Sequence, residues 1–392
     1  MRFCHFVMSC MFTLPLAAEE GSPWDLEALR QPPEFEWKGP AGKIRSLLYK
    51  SLPYGDRKQT SVYALYATPG TLAGDTTKDI SLPAVVLVHG GGGTVFPEWV
   101  ELWAKRGYAA IAMDLAGKGA GRKPLPDGGP DQGPRQKFST IGGALNEIWS
   151  THAVANVILA HSLIRSFREV DPDRTAVTGI SWGGYLTCIV AGLDSRFKAA
   201  VPVYGCGFLH EGSAWNRNFD AMTPELRAQW VRLFDPSSYV GNAQMPVFFV
   251  NGTNDFAYWM EQYHKTYSIV KNRNLRITVR MPHGHKPGWM PIEIGMFIDQ
   301  HLLGSAPLPE VQLKEGEAPS AEMKSETEIV DAWLNYTTES KPNKQRAWKT
   351  IKAEHGDGMV GVGKLPEGAL IWFFTVKDER GAVVSSELGF AR

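Results

Sequence analysis

The chain has 392 residues, 43% of them hydrophobic and 21% charged, and its 41 Lys and Arg balance 41 Asp and Glu. A single core rarely grows past about 250 to 300 residues, so this length implies two folded units. The even charge balance, with no basic block, argues against a nucleic-acid partner. No segment beyond the amino terminus supplies the roughly 20 apolar residues of a membrane-spanning helix.

Residues 1–18 read as a secretory signal peptide, because Arg2 precedes an apolar stretch from Phe6 to Leu16 that closes on Ala17 and Ala18. A secreted or periplasmic protein is the expectation. Cys4 and Cys10 leave with the signal, and Val7-Met8-Ser9 is a poor lipobox ahead of Cys10. Cys188 and Cys206 then read as two buried free thiols, with a bridge between them as the alternative. No CxxC or HxxxH spacing supports a metal, so neither a metal nor a cofactor is expected.

From Ile44 the pattern alternates short β-rich runs with longer segments of helical period, as strands joined by crossover helices require. Ser46 to Tyr49 and Ser61 to Ala67 predict a hairpin at one sheet edge. Ala84 to Val88 is a continuous apolar run suited to a strand buried on both faces, and His89 and four glycines follow it directly. Pro97 to Lys105 predicts a helix and Ala109 to Met113 a strand. Between Asn146 and Phe167, Ala153, Val157, Ala160 and Ile164 mark a helix with one buried stripe. The order continues as strand Thr175 to Ile180, helix Trp182 to Ala191, strand Ala199 to Val203, an insertion at 208–240, strand Val247 to Val250, helix Tyr258 to Val270, strand Leu275 to Met281 and helix Ile292 to Leu303. This is an α/β, doubly wound sheet over residues 19–304, whose ligand crevice lies at the carboxyl ends of the strands. The insertion predicts a helical cap over that crevice. A Pro- and Glu-rich linker at 305–320 follows, and five short β-rich runs with turn signals predict a small β-sandwich over 321–392.

The chemistry gathers just after the strands. Gly179-Ile180-Ser181-Trp182-Gly183 sets a serine on a tight turn between a buried strand and a helix, the arrangement of a nucleophile elbow. A hydroxyl near neutral pH needs an imidazole to take its proton and a carboxylate to orient that imidazole. Asp255, after the strand Val247 to Val250, is the expected acid. His283 and His285 both follow the last strand of the sheet; His285 is favoured as the base for its Gly-His loop, with His283 as the alternative. Gly91 and Gly92, in the run after His89, and the backbone N–H of Trp182 are the expected oxyanion donors. The sequons at Asn251 and Asn335 read as unused.

At these residues the chain resembles the α/β-hydrolase superfamily, in particular the dienelactone hydrolase, acetyl xylan esterase and prolyl oligopeptidase-like (peptidase S9 catalytic domain) group. The likeness covers roughly Ile44 to Leu303 and rests on Asp171-Pro172-Asp173-Arg174 leading to Gly179-Ile180-Ser181-Trp182-Gly183-Gly184-Tyr185, where the peptidases commonly carry tyrosine at the position of Trp182. The resemblance implies a metal-free serine hydrolase acting on an acyl group carried by a small molecule or glycan. Only about 60 residues precede the sheet, in place of a large propeller, which favours an esterase of the acetyl xylan type over a peptidase. A third reading is an inactive carbohydrate-binding protein. Trp215, Trp259 and Trp289 are the expected substrate-binding rings. The acyl group, the alcohol and the oligomeric state have no signature in the chain.

Overall fold

The computed structural model describes residues 22–316 and 318–391; the expected signal segment, with Cys4 and Cys10, lies outside them. A mixed sheet of fourteen strands organises these residues. Its amino-terminal side is antiparallel, with β1 (Phe35–Lys38), β2 (Arg45–Ser51) and β3 (Thr60–Ala67) in sequence. The hairpin of β2 and β3 is therefore not the edge; β1 covers it. Strand β3 meets β5 (Ala109–Met113), and from there β4 (Leu82–Val88), β6 (Val170–Ile180), β7 (Ala199–Val203), β8 (Val247–Gly252) and β9 (Arg273–Thr278) run parallel in the order β5-β4-β6-β7-β8-β9.

Burial explains the central strands. Six of the seven residues of β4 and all of β5 and β7 are buried, because helices cover both faces of a parallel sheet and leave no solvent side for polar residues. The helix Trp149–Arg165 departs from its predicted single stripe, since every residue from Trp149 to Ile164 is buried. The amino-terminal segment seals its outer face: the Trp24 indole donates to the Thr151 carbonyl at 2.9 Å and the Ser162 hydroxyl to the Leu29 carbonyl at 2.8 Å. The insertion at 208–240 forms helices Asn216–Asp220 and Pro224–Phe234. The side chain of Trp230 is fully buried, donates to the Lys137 carbonyl at 2.8 Å and stacks on Phe138.

Beyond helix Ile292–Leu303 come β10 (Glu310–Lys314), β11 (Ser320–Lys324), β12 (Ile329–Thr337), β13 (Lys349–Lys352), β14 (Glu354–Gly356), β15 (Met359–Gly361), β16 (Ile371–Asp378), β17 (Val383–Ser385) and β18 (Gly389–Phe390). The segment expected as a linker thus contains β10. Its Pro- and Glu-rich composition hides a period of two in which Val311 is buried between exposed Glu310 and Gln312. Strands β10-β11-β15-β14 form a four-stranded sheet, with β14 lying against β12 and β10 against β17. The other strands are not separate from the main sheet. Strand β17 pairs antiparallel with β9 through Ser385 and Leu275, so the order runs on as β9-β17-β16-β12-β13. The Ser385 hydroxyl accepts from the Ile277 N–H at 3.0 Å, and Glu293 accepts from the Val383 N–H at 2.7 Å while pairing with Arg276.

Cys188 and Cys206 are both buried and unbridged. Asn251 and Asn335 are buried as well. Among the described residues no helix is long and apolar enough to cross a membrane.

Candidate active site

Strand β6 ends at Ile180, and the next residue turns sharply into helix Trp182–Leu193. Ser181 takes φ +61° and ψ −117°, a conformation that costs a non-glycine residue of the order of 1 to 3 kcal/mol and persists only where its surroundings fix it. They do so here: the Ser181 N–H donates to the Val203 carbonyl at 2.9 Å and its carbonyl accepts from the Tyr185 N–H at 2.9 Å. The turn is so tight that a Cβ on Gly183 would lie 1.9 Å from the Val88 carbonyl oxygen. Glycine is thus required by the close approach of β4, not by a positive φ.

The structure parts from the favoured expectation at the two histidines. His283, not His285, faces Ser181, with Nε2 2.9 Å from the serine Oγ and Nδ1 2.6 Å from Asp255 Oδ2. Asp255, on the loop after β8, is almost fully buried, and its other oxygen accepts the N–H groups of Ala257 and Tyr258, each at 2.8 Å. Both carboxylate oxygens are therefore engaged, which fixes the plane presented to the imidazole. The ring itself is held on two sides. Tyr204 stacks on it at 4.3 Å and donates its hydroxyl to the Pro282 carbonyl at 2.8 Å, and Phe256 packs at 4.8 Å. The Tyr258 hydroxyl lies beside Ser181 without a well-aligned hydrogen bond to any described group.

His285 has a different place because it starts the short helix His285–Trp289, which carries its ring back toward the glycine run. Its Nε2 accepts the Gly90 N–H at 3.0 Å, and its ring packs on Phe96. Burial first, then nearby His89, His283 and Arg122, hold its pKa down to about 4, so the ring stays neutral and keeps the lone pair this bond needs. His89 anchors the other side of the same loop. Its Nε2 accepts the Leu115 N–H at 3.0 Å, which leaves Nδ1 to donate to the Gly90 carbonyl at 2.8 Å, and burial lowers its pKa to about 4 as well. Between them, the two histidines clamp Gly90 against the nucleophile: a Cβ there would sit 2.9 Å from the Cβ of Ser181.

Of the expected oxyanion donors, the Gly92 N–H is spent on Gln132 Oε1 at 3.2 Å. Gly91 lies against the Trp182 indole, beside the elbow: a Cβ there would sit 2.8 Å from the ring. The three expected substrate rings also separate. Trp215 packs on Trp182 at 4.4 Å and on Tyr258 at 5.2 Å, next to the serine. Trp259 donates to the Phe256 carbonyl at 3.4 Å, on the acid loop. Trp289 instead stacks on Trp99 at 5.3 Å and packs on Phe96, and is half-buried.

The carboxy-terminal strands reach this site. Asn343, between β12 and β13, donates from Nδ2 to the Asp255 carbonyl at 2.8 Å and accepts the Met260 N–H at 3.3 Å, bridging the loop that bears the acid. Asn254 donates to the Arg346 carbonyl at 2.7 Å, and Arg346 pairs with Glu261. No motif marks Asn343 in the sequence. Lys137 is a further residue without a sequence signal. It is 6% exposed, with its ammonium 4.4 Å from the Trp182 ring and 4.9 Å from that of Trp149 and no ion pair to any described residue. Among the described residues no three His, Cys, Asp or Glu side chains gather as a metal cluster.

With this geometry in place, a model of the dienelactone hydrolase family matches residues 69–286. An uncharacterized peptidase of Bacillus subtilis, YuxL, is 25% identical over 240 residues, which make up 57% of this chain; the chain spans about a third, 33%, of that curated relative. Two acetyl xylan esterases have similar solved structures. That of Paenibacillus sp. R4 is 22% identical, with 71% of this chain and 92% of that chain covered and a TM-score of 0.55. That of Thermoanaerobacterium sp. JW/SL YS485 is 18% identical, with 72% and 94% covered and a TM-score of 0.54. An acylaminoacyl peptidase of Pyrococcus horikoshii is also 18% identical, with 70% of this chain but 43% of that chain covered and a TM-score of 0.50. These likenesses place the chain in the α/β-hydrolase fold.

Proposed function

Because this chain belongs to the dienelactone hydrolase family, and is a hydrolase of α/β-hydrolase fold, we propose that it is a secreted serine esterase of the acetyl xylan type with Ser181, His283 and Asp255 as its triad. The observation that carries the reading is the unbroken chain from Asp255 Oδ2 through both His283 nitrogens to Ser181 Oγ, at 2.6 and 2.9 Å.

His283 Nε2 takes the Ser181 proton as Oγ bonds to the carbonyl carbon, and Asp255 stabilises the imidazolium that results. The N–H groups of Gly91 and Trp182 serve in this reading as the oxyanion donors, each such donor being worth about 3 kcal/mol in the transition state. Collapse breaks the bond to the alcohol oxygen, which leaves with the proton from His283. Water then gives a proton to His283 as it attacks the acyl-serine, and expulsion of Ser181 Oγ, reprotonated by His283, frees the acid. Trp215 lines the crevice where a sugar face would stack. The amino-terminal sequence supports export, through Arg2 and the apolar run that follows it.

Turnover of p-nitrophenyl acetate and of acetylated xylan, beside aminoacyl and prolyl chromogenic amides, tests the reading. Ser181→Ala should lower ester turnover by several orders of magnitude while the fold survives, and a fluorophosphonate probe should label the wild type at Ser181 only. Cleavage of amides alone would overturn the esterase assignment, and undiminished ester turnover by Ser181→Ala would overturn the triad.

A further inference from the structure

Beyond the crevice over Ser181, a cavity of about 450 Å³ opens against His283. One wall comes from the acid and base loops, with Asp255, Phe256 and Arg280, and the other from the segment between β12 and β13, with Lys344 and Arg346. Both Lys344 and Arg346 lie past residue 286, where the family match ends.

The charges of this cavity do not cancel. The Asp255 carboxylate is committed to His283 and to two backbone N–H groups, and Arg346 is committed to Glu261. Arg280 and Lys344 line the same cavity, are exposed, and form no ion pair with any described residue. The Arg280 backbone is held by its N–H bond to Thr253 Oγ1 at 3.0 Å, which fixes where its side chain starts. The Phe256 ring is 51% exposed although it packs on His283, and so presents a flat apolar face at the cavity. The position also has chemical meaning. The imidazole that takes the serine proton hands it to the departing alcohol, so the alcohol oxygen sits at His283 and the rest of the alcohol extends past that ring.

We propose that this cavity is the subsite for an alcohol part that carries a negative charge, such as a carboxylate on a sugar or aromatic ring, with Arg280 and Lys344 as its counter-charges and Phe256 as its floor. The inference deepens the esterase reading and rests on it. The appended region then contributes to substrate choice, since Lys344 stands on the turn between β12 and β13.

The test compares two esters that differ in one charge, 4-acetoxybenzoate and 4-acetoxybenzamide, on the full chain. The wild type should prefer the carboxylate in kcat/KM by about tenfold at low ionic strength, and that preference should shrink in 0.5 M NaCl, where screening acts over only a few ångströms. The variant Arg280→Ala/Lys344→Ala should lose the preference, and Lys344→Glu should invert it. A wild type that turns over both esters equally, or a double variant whose ratio stays within twofold of the wild type, overturns the subsite and leaves the esterase reading intact. No turnover of either ester, with no labelling of Ser181 by a fluorophosphonate, overturns both.

Discussion

The two histidines flanking Gly284 contact different groups, and replacing each in turn tests the proposed roles of base and brace. In His283→Ala, Ser181 loses the imidazole placed to accept its proton and Asp255 its partner, at distances of 2.9 and 2.6 Å. Loss of a triad histidine costs about 10⁴- to 10⁶-fold in kcat, which at 1.36 kcal/mol per decade is about 5 to 8 kcal/mol. In His285→Ala, what is lost is one acceptor for the Gly90 N–H at 3.0 Å, with some ring packing on Phe96. An unpaired buried donor costs about 1 to 3 kcal/mol, so even if all of it appears as misplacement of the glycine loop the rate falls by no more than about 160-fold. Steady-state hydrolysis of p-nitrophenyl acetate by both variants, with circular dichroism to verify the fold, reads the difference. Added imidazole should restore part of the rate in His283→Ala, because the ring leaves a space beside Ser181. An equal fall in the two variants, or rescue by imidazole in His285→Ala alone, would refute this division of labour.

Two further outcomes follow from other buried groups. Asn343→Ala strips partners from the Asp255 carbonyl and the Met260 N–H, so it should lower stability by about 2 to 4 kcal/mol in urea unfolding and lower kcat about tenfold with little change in KM; wild-type kcat in a folded variant would deny Asn343 its positioning role. Lys137 sits in an apolar cage that lowers its pKa from 10.5 to about 7, chiefly by desolvation. Between pH 7 and 10 the unfolded lysine stays protonated while the folded one does not, so this group makes stability rise with pH, by up to about 1.4 kcal/mol per unit. Lys137→Met removes that dependence: its stability advantage over the wild type should be greatest near pH 7 and fade toward pH 10, and an advantage that grows with pH would contradict the burial argument.

What could be read in the chain was whatever local sterics dictate. The run Leu82–Val88 is apolar on both faces because it lies between helices, and the elbow at Ser181 needs glycine two residues on because a neighbouring strand crosses there. Both signals are carried by adjacent residues. Which histidine faces Ser181 was not legible, since His283 and His285 share one loop and differ only in what meets them: Tyr204 and Phe256 for one, Gly90 and Phe96 for the other. Asn343 escaped notice for the same reason, its partner being a backbone carbonyl 88 residues away. The stack of Trp289 on Trp99 was not legible either, because aromatic residues near a crevice and aromatic residues in a core share one composition. Strand β10 was masked by the prolines and glutamates around it.

The pairing of β17 with β9 also bears on how the molecule behaves in a crowded solution. A parallel sheet that stopped at β9 would offer its unpaired N–H and carbonyl groups to any neighbour, a ready template for chain-to-chain association. Here β17 takes up part of that template through Ser385 and Leu275, and the open border passes to β13, a strand of four exposed residues with Lys349 and Lys352 at its ends. Desolvating two ammonium groups is a poor start to aggregation, so a chain cut before β10 should precipitate at concentrations the whole protein tolerates.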